Sequence, residues 1–273
     1  MIANKYKLTE QLTNGAFGTI YKAENIRTHE FVAIKLELKN NEIKTLKNEA
    51  KIYQYLGKQD GFPQLKWFGS TSELTYLIID LLGVSLSDMI HVYTRLSLKT
   101  TLILGIQLIK IIETLHNKYL LHRDIKPENL LFGLGHATNK LHLVDFGFAK
   151  RYNYNGKHIV ESNISRIIGS PNFVSLNVHN GIEPSRRDDL ESCIYVILNM
   201  LYGELEWSNA QNNTTMKMLK GNIKQMPQFI QSMLKYVRGL SFDEKPNYDS
   251  LIYILVSTYE TNGFINDDKF EWS

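Results

Sequence analysis

The chain has 273 residues, 43% hydrophobic and 22% charged, an ordinary globular balance for one or two domains able to bury a core without covalent staples. Lys and Arg total 31 against 28 Asp and Glu, and a net charge of +3 is too mild to argue for a nucleic-acid or membrane-surface partner. The single cysteine, Cys193, excludes an internal disulfide and makes reducing, intracellular surroundings the natural reading. The opening MIANKYKLTE has no apolar signal core, and the most apolar windows, 102–112 and 193–202, are too short to span a bilayer.

In chain order, KYKLTEQL, FGTIYKAEN and FVAIKLEL alternate apolar and polar side chains with β-branched or aromatic content, which predicts three antiparallel strands. In NNEIKTLKNEAKIYQYLG, Ile43, Leu46, Ala50, Tyr53 and Leu56 recur at steps of three and four, an amphipathic helix that Gly57 ends. PQLKWFGS and TYLIIDL predict two more strands. DLLGVSLSDMI reads as a connector leading into a helix after Ser85. LSLKTTLILGIQLIKIIETLHNKYL is apolar nearly all round and predicts a buried central helix. NLLF and KLHLVDF are short strands around GLGHATN. RRDDLESCIYVILNMLYG is a second buried helix, and MPQFIQSMLKYVRGL and DSLIYILVSTYETNG are amphipathic helices. The expected fold class is α+β: a small five-stranded antiparallel sheet lobe with one helix, then a larger, mainly helical lobe, with a cleft at the connector.

LTNGAFGTIY carries Thr13 where a G-x-G-x-x-G loop would have its first glycine, and alone it fits a hairpin turn as well as a phosphate cradle. VAIK ends on Lys35. Fourteen residues later Glu49 shares the helix face of Leu46 and Tyr53, and an inward carboxylate needs a cationic partner. Lys35 is the candidate; the alternatives are a solvent-facing lysine and a glutamate that bends to water. HRDIKPENLL sets Asp124 and Asn129 five apart with Lys126 between them. Phosphoryl transfer needs a carboxylate to orient the attacking hydroxyl and accept its proton, a cation against the transferring phosphate, and oxygen ligands for Mg²⁺. Asp124, Lys126 and Asn129 supply these in turn. LVDFG adds Asp145, twenty-one residues beyond Asp124, as a second oxygen ligand. Singly, each acid reads as a loop or cap residue; the ordered set does not.

In this order and spacing the motifs resemble the eukaryotic protein kinases over nearly the whole chain. The resemblance makes TNGAFGTI the glycine loop, with Gly15 and Gly18 retained. Leu12 and Ile20 then cover adenine, and Ala33 and Leu131 sandwich it. Residues 80–82 become the hinge, with Asp80 and Leu82 at the adenine edge and Ile79 guarding the back pocket. Lys126 within HRDIKPEN is similar to serine/threonine rather than tyrosine kinases. SLN stands where most kinases carry A-P-E. With VHNGIEPSRRDDLESCIYVI, DLLGVSLSDMI, SFDEKPNYDSL and GFINDDKFEW, it resembles the casein kinase 1 family.

That resemblance implies an ATP-dependent serine/threonine protein kinase with a single catalytic domain over 1–273, divided as 1–79, a hinge at 80–83, and 84–273. It implies ATP with Mg²⁺ (or Mn²⁺), protein substrates, a monomer, no direct nucleic-acid or membrane partner, and the cytoplasm or nucleus. Asp124, Lys126, Asn129, Lys35 and Glu49 would be catalytic, Asn129 and Asp145 the metal ligands. Asp189 would brace the catalytic loop from behind, besides reading as a helix N-cap. Relatives hold acidic or pre-phosphorylated substrates through an arginine where this chain has Asn172. Lys150, Arg151, Arg166 and Arg186, with Lys157, His158 and Arg187, are candidates for a different anion patch; the alternative is a solvated face. Ser162, Ser165 and Ser170 are candidate phosphorylation sites with Arg123 free to bind the phosphate, although activation is not expected to need one. No regulatory tail is expected. Two other readings compete. A catalytically dead scaffold is opposed by the intact Lys35, Asp124, Asn129 and Asp145. A small-molecule kinase of related fold is opposed by SLN and SRRDDLES.

Overall fold

The structure, a computed structural model, describes every residue except 16–17, 41–43, 224–225, 266, 268 and 273. The backbone gathers into two compact units, Met1–Gly83 with Leu131–Gly147, and Val84–Leu130 with Phe148–Ser273.

In the first unit, β1 (Tyr6–Gly15), β2 (Gly18–Asn25), β3 (Phe31–Leu38), β4 (Leu65–Ser70) and β5 (Leu74–Asp80) form an antiparallel sheet in the order β1-β2-β3-β5-β4. Alternation sorts the side chains between its faces. Ala23, Val32, Ile34, Tyr76 and Ile78 join Ile2 and Tyr6 in one apolar core. On the other face Ala33 lies opposite Ile79, and Lys35 lies opposite both Leu77 and Ile20. A slip of one residue would drive Lys35 into the apolar core, so burial fixes the register. Gly18 is required by close approach: its φ is +121°, and a Cβ there would lie 2.1 Å from Leu36 O on β3.

The helix α1 (Leu46–Leu56) starts later than periodicity alone suggests, and residues 44–45 lie outside it. Its N-terminus is capped from the sheet. The buried Glu37 carboxylate accepts from Thr45 N at 2.9 Å and Leu46 N at 3.1 Å, while Thr45 itself makes no side-chain cap. Ile43, expected in the same stripe, lies outside the described residues. Gly57 ends the helix with φ 62° and donates its N–H to Tyr53 O. The short strands Leu130–Phe132 and Leu141–Leu143 pair with each other, and Leu143 N is bonded to Gly61 O at 2.8 Å.

The second unit is helical. Ser85 and Asp88 form a reciprocal capping box at the start of α2 (Leu86–Tyr93). The apolar α3 (Leu98–Asn117) packs against α5 (Arg186–Tyr202) and α8 (Tyr248–Thr261), and α5 packs against α7 (Gln228–Arg238). A single-turn α4 (Leu176–His179) precedes α5. The compact stretch after Trp207 contains α6 (Asn213–Gly221), which its Asn and Thr content hides; Asn212 caps it by accepting from Thr215 N.

Candidate active site

In the first unit, β3 and α1 bring Lys35 Nζ to 2.8 Å from Glu49 Oε2, and the same ammonium reaches Asp145 Oδ1 at 2.9 Å. Lys35 and Glu49 are both buried. Asp145 is held at φ +66°, and its Oδ1 also accepts from Gly147 N at 3.3 Å. Phe146 anchors the turn by packing edge-on against Tyr53, with ring centres 4.9 Å apart. Burial alone would depress the Lys35 pKa, but the Glu49 and Asp145 charges outweigh it and hold it above its ordinary value. Burial pushes the Glu49 carboxyl up to about 7, against the pull of Lys35.

The predicted nucleotide-contacting residues lie in the same unit. Ala33 and Ile79 face each other across β3 and β5, Ile20 is on β2, and Leu131 is on a short strand. Leu12 and Thr13 are exposed on β1, with Thr13 opposite Ile20 and Gly15 opposite Gly18. The tip of that hairpin, Ala16 and Phe17, lies outside the described residues. The Asp80 carboxylate is tied to Gln64 N at 2.8 Å and to Lys66 Nζ at 2.9 Å. Among the described residues, neither the N–H nor the C=O of Leu82 meets a partner.

In the second unit, the 3-10 turn Pro127–Asn129 folds Asn129 back so that its Nδ2 donates to Asp124 O at 2.8 Å. Lys126 Nζ lies 3.0 Å from Asp124 Oδ2. Ser170 completes a triangle: its N–H and hydroxyl donate to Asp124 Oδ1 at 2.8 and 2.7 Å, and its Oγ accepts from Lys126 Nζ at 2.9 Å. The sequence offered Ser170 only as a phosphorylation site, because nothing local marks a contact across 46 residues. Asp189 accepts from His122 N at 2.8 Å and Arg123 N at 2.9 Å, and its Oδ2 lies 3.0 Å from His116 Nε2. Those two captured N–H groups hold Arg123 at φ +68°, a backbone conformation costly for a residue with a Cβ. Burial would raise the Asp189 pKa, but its hydrogen bonds, led by His116, hold it below the ordinary value. The cap of α5 is Ser185 with Asp188, which accepts from Ser185 N at 2.8 Å, and Asp189 is left to the loop.

Arg123 is not free. Its Nε donates to Phe148 O at 2.7 Å and its Nη1 to Glu183 Oε1 at 3.3 Å, an attachment that a sequence separation of 60 residues conceals. Lys150 also reaches Glu183, at 2.9 Å. Arg186 lies over the Tyr152 ring and donates to Asp243 O, and Arg187 donates to Leu240 O at 2.9 Å and pairs with Glu161. Arg151 donates to Asn153 O at 2.7 Å, and Arg166 is exposed.

Lys220 gave no signal in the sequence. It is fully buried on α6, and its ammonium donates to Pro171 O and Val174 O, both at 2.7 Å, beside Asn172. Its third neighbour is His179 Nε2 at 2.9 Å; burial and the Lys220 charge lower the His179 pKa to about 4, which keeps that nitrogen an acceptor. Trp207 Nε1 donates to Asn172 O at 2.7 Å. In SLN, Ser175 and Asn177 both donate to Asp188 Oδ1, and Arg238 pairs with Glu191 on α5 at 3.1 Å.

An antiparallel five-stranded sheet bearing a buried lysine–glutamate pair, followed by a helical region whose loop sets a carboxylate beside a lysine and an amide, is a kinase fold. The family model described as protein kinase domain matches residues 6–257, and the chain belongs to that family. Membership carries ATP-dependent phosphoryl transfer to protein substrates with a divalent metal ion. Among the described residues no helix is long and apolar enough to cross a membrane.

Proposed function

We infer that this chain is a serine/threonine protein kinase of the casein kinase 1 type, transferring the ATP γ-phosphoryl group to Ser and Thr hydroxyls of proteins. The observation that carries the reading is the Asp124–Lys126–Ser170 triangle. It holds a carboxylate ready to accept a hydroxyl proton, with an ammonium 3.0 Å away to meet the charge of the transferring group.

The residues fit a magnesium nucleotide. The Leu82 N–H and C=O, without partners among the described residues, offer one donor and one acceptor to a purine edge, and Ala33 leaves room for the ring. Asn129 donates through Nδ2 to Asp124, which leaves its Oδ1 as a ligand atom, and Asp145 carries a carboxylate; each is a hard-oxygen donor of the kind that suits Mg²⁺ or Mn²⁺. When bound, the metal nucleotide supplies the activated phosphoryl group. Lys35, positioned by Glu49, holds phosphate oxygens. Asp124 orients the substrate hydroxyl and takes its proton, and Asp189 fixes the backbone that presents Asp124. Asp80 is held to Lys66 by its side chain and donates its N–H to Gln64 O at 3.1 Å, so neither group is offered to the nucleotide.

The casein kinase 1 subtype is supported by SLN and SRRDDLES, two of the segments that carry the resemblance, bonded to each other through Asp188. We take 1–273 as one catalytic domain with its hinge at 80–83, acting as a monomer in the cytoplasm or nucleus without nucleic acid or membrane. At the substrate side, Asn172 removes a cation that relatives use, and Lys220 is committed to backbone carbonyls. Substrates without an upstream phosphate are therefore the better class. Transfer from labelled ATP to Ser/Thr and Tyr peptides, with Asp145→Asn as control, tests the proposal. Label on Ser or Thr that disappears in the variant is expected; label on Tyr alone, or wild-type protein without turnover, overturns it.

A further inference from the structure

Glu183 follows α4, is 6% exposed, and touches two cations through one oxygen. Its Oε1 lies 3.3 Å from Arg123 Nη1 and 2.9 Å from Lys150 Nζ. Its backbone is tied down as well: Glu183 N donates to Ser162 O at 2.8 Å, and Ile164 N donates to Gly181 O at 2.7 Å. One carboxylate therefore joins three stretches distant in sequence: the catalytic loop through Arg123, the chain just after Asp-Phe-Gly through Lys150, and the end of the following segment through its own position. Arg123 adds a fourth tie, from Nε to Phe148 O at 2.7 Å.

A phosphate added to an activation segment does the same work: it sets an anion against an arginine and so orders the segment. Burial lowers the Arg123 pKa, and the Glu183 charge offsets that cost. The charged groups facing Arg123 are Glu183 and, from α5, Asp189, which already accepts the Arg123 N–H. Glu183 is thus the carboxylate that answers the guanidinium.

We propose that Glu183 is a built-in counter-anion, a positioning residue that holds Asp124 in working geometry through Arg123, in the place that a phosphorylated side chain takes in a switchable kinase. The proposal rests on the protein kinase reading. Glu183 acts through Arg123 and does not touch substrate.

The test uses the full chain with Glu183→Gln, Glu183→Ala and Glu183→Asp, each assayed for turnover and melting temperature with and without sulfate. Phosphatase-treated wild type is expected to keep its full kcat. Glu183→Gln is expected to lose kcat by about tenfold or more while KM for ATP moves less than about twofold. Glu183→Asp is expected to recover most of the rate. In Glu183→Ala, sulfate is expected to restore part of kcat and to raise the melting temperature more than in wild type. A folded Glu183→Gln variant with wild-type kcat overturns the proposal. So does a loss of rate that sulfate changes in neither readout, because that marks a merely structural role. If the Gln and Ala variants do not fold, Lys150→Gln decides: a smaller kcat loss, of about two- to threefold, supports the proposal, and an unchanged kcat overturns it. Wild-type protein without turnover sinks the kinase reading, and the sulfate-dependent melting of Glu183→Ala still decides whether the anion site exists.

Discussion

Lys35 Nζ stands 2.8 Å from Glu49 Oε2, with only 8% of Lys35 and 2% of Glu49 exposed. The strand register aims the lysine, the helix stripe aims the glutamate, and the pair persists because neither charge reaches bulk water.

Lys35→Met is expected to cut turnover at least about a hundredfold and to destabilise the fold by about 3 kcal/mol, the usual cost of stripping a buried ion of its partner. The loss should be larger at pH 8 than at pH 6, since Glu49 takes up a proton when its cation is gone. Denaturant titration at the two pH values checks this; a stable, fully active variant would show the pair to be dispensable.

Glu49 titrates at about 7 when folded, against an ordinary 4.5. The folded state therefore holds this proton to higher pH than the unfolded chain does. The stability it contributes is fully present below pH 4.5 and is lost as pH rises through 7. Melting temperatures from pH 5 to 8 should show a downward contribution that Glu49→Gln abolishes. Asp145→Asn should move the midpoint down, because the Asp145 charge is among the causes of the rise. An identical pH slope in Glu49→Gln would be the contrary result.

Asp124→Asn is expected to lower kcat by about 10²- to 10⁴-fold with little change in melting temperature. Ser170→Ala should cost kcat by about tenfold, since the hydroxyl orients both Asp124 and Lys126. Ser170→Thr should keep most activity. Ser170→Asp should inactivate, because it adds a like charge beside Asp124. An activated Ser170→Asp enzyme would make this serine a switch instead.

Asn172→Arg is expected to raise kcat/KM for peptides bearing an upstream phosphoserine by about tenfold, through one charge-assisted hydrogen bond. The buried Lys220 should stay where it is, since its two carbonyl bonds do not involve the Asn172 side chain. Matched peptides with and without the phosphate supply the comparison, and equal gains on both would contradict a specific anion contact.

What the sequence determined by itself was whatever lies within one element or one short motif. Period-two runs were enough for β1 to β5, long apolar runs for α3 and α5, period-3.6 runs for α7 and α8, and HRDIKPEN with LVDFG for the protein kinase family. Lys35 and Glu49 were legible together because each lay on an element whose periodicity aimed it. Only the tertiary structure decided the partners of charges whose local setting is silent. Glu37 caps α1 from a strand, Glu183 claims the arginine that looked free, Ser170 bridges Asp124 and Lys126, and a lysine on the unsignalled α6 is buried against carbonyls 46 and 49 residues away. The physical reason is that propensity and amphipathic patterning act between near neighbours in the chain, whereas a buried polar group is satisfied by whichever group the completed fold brings within about 3 Å.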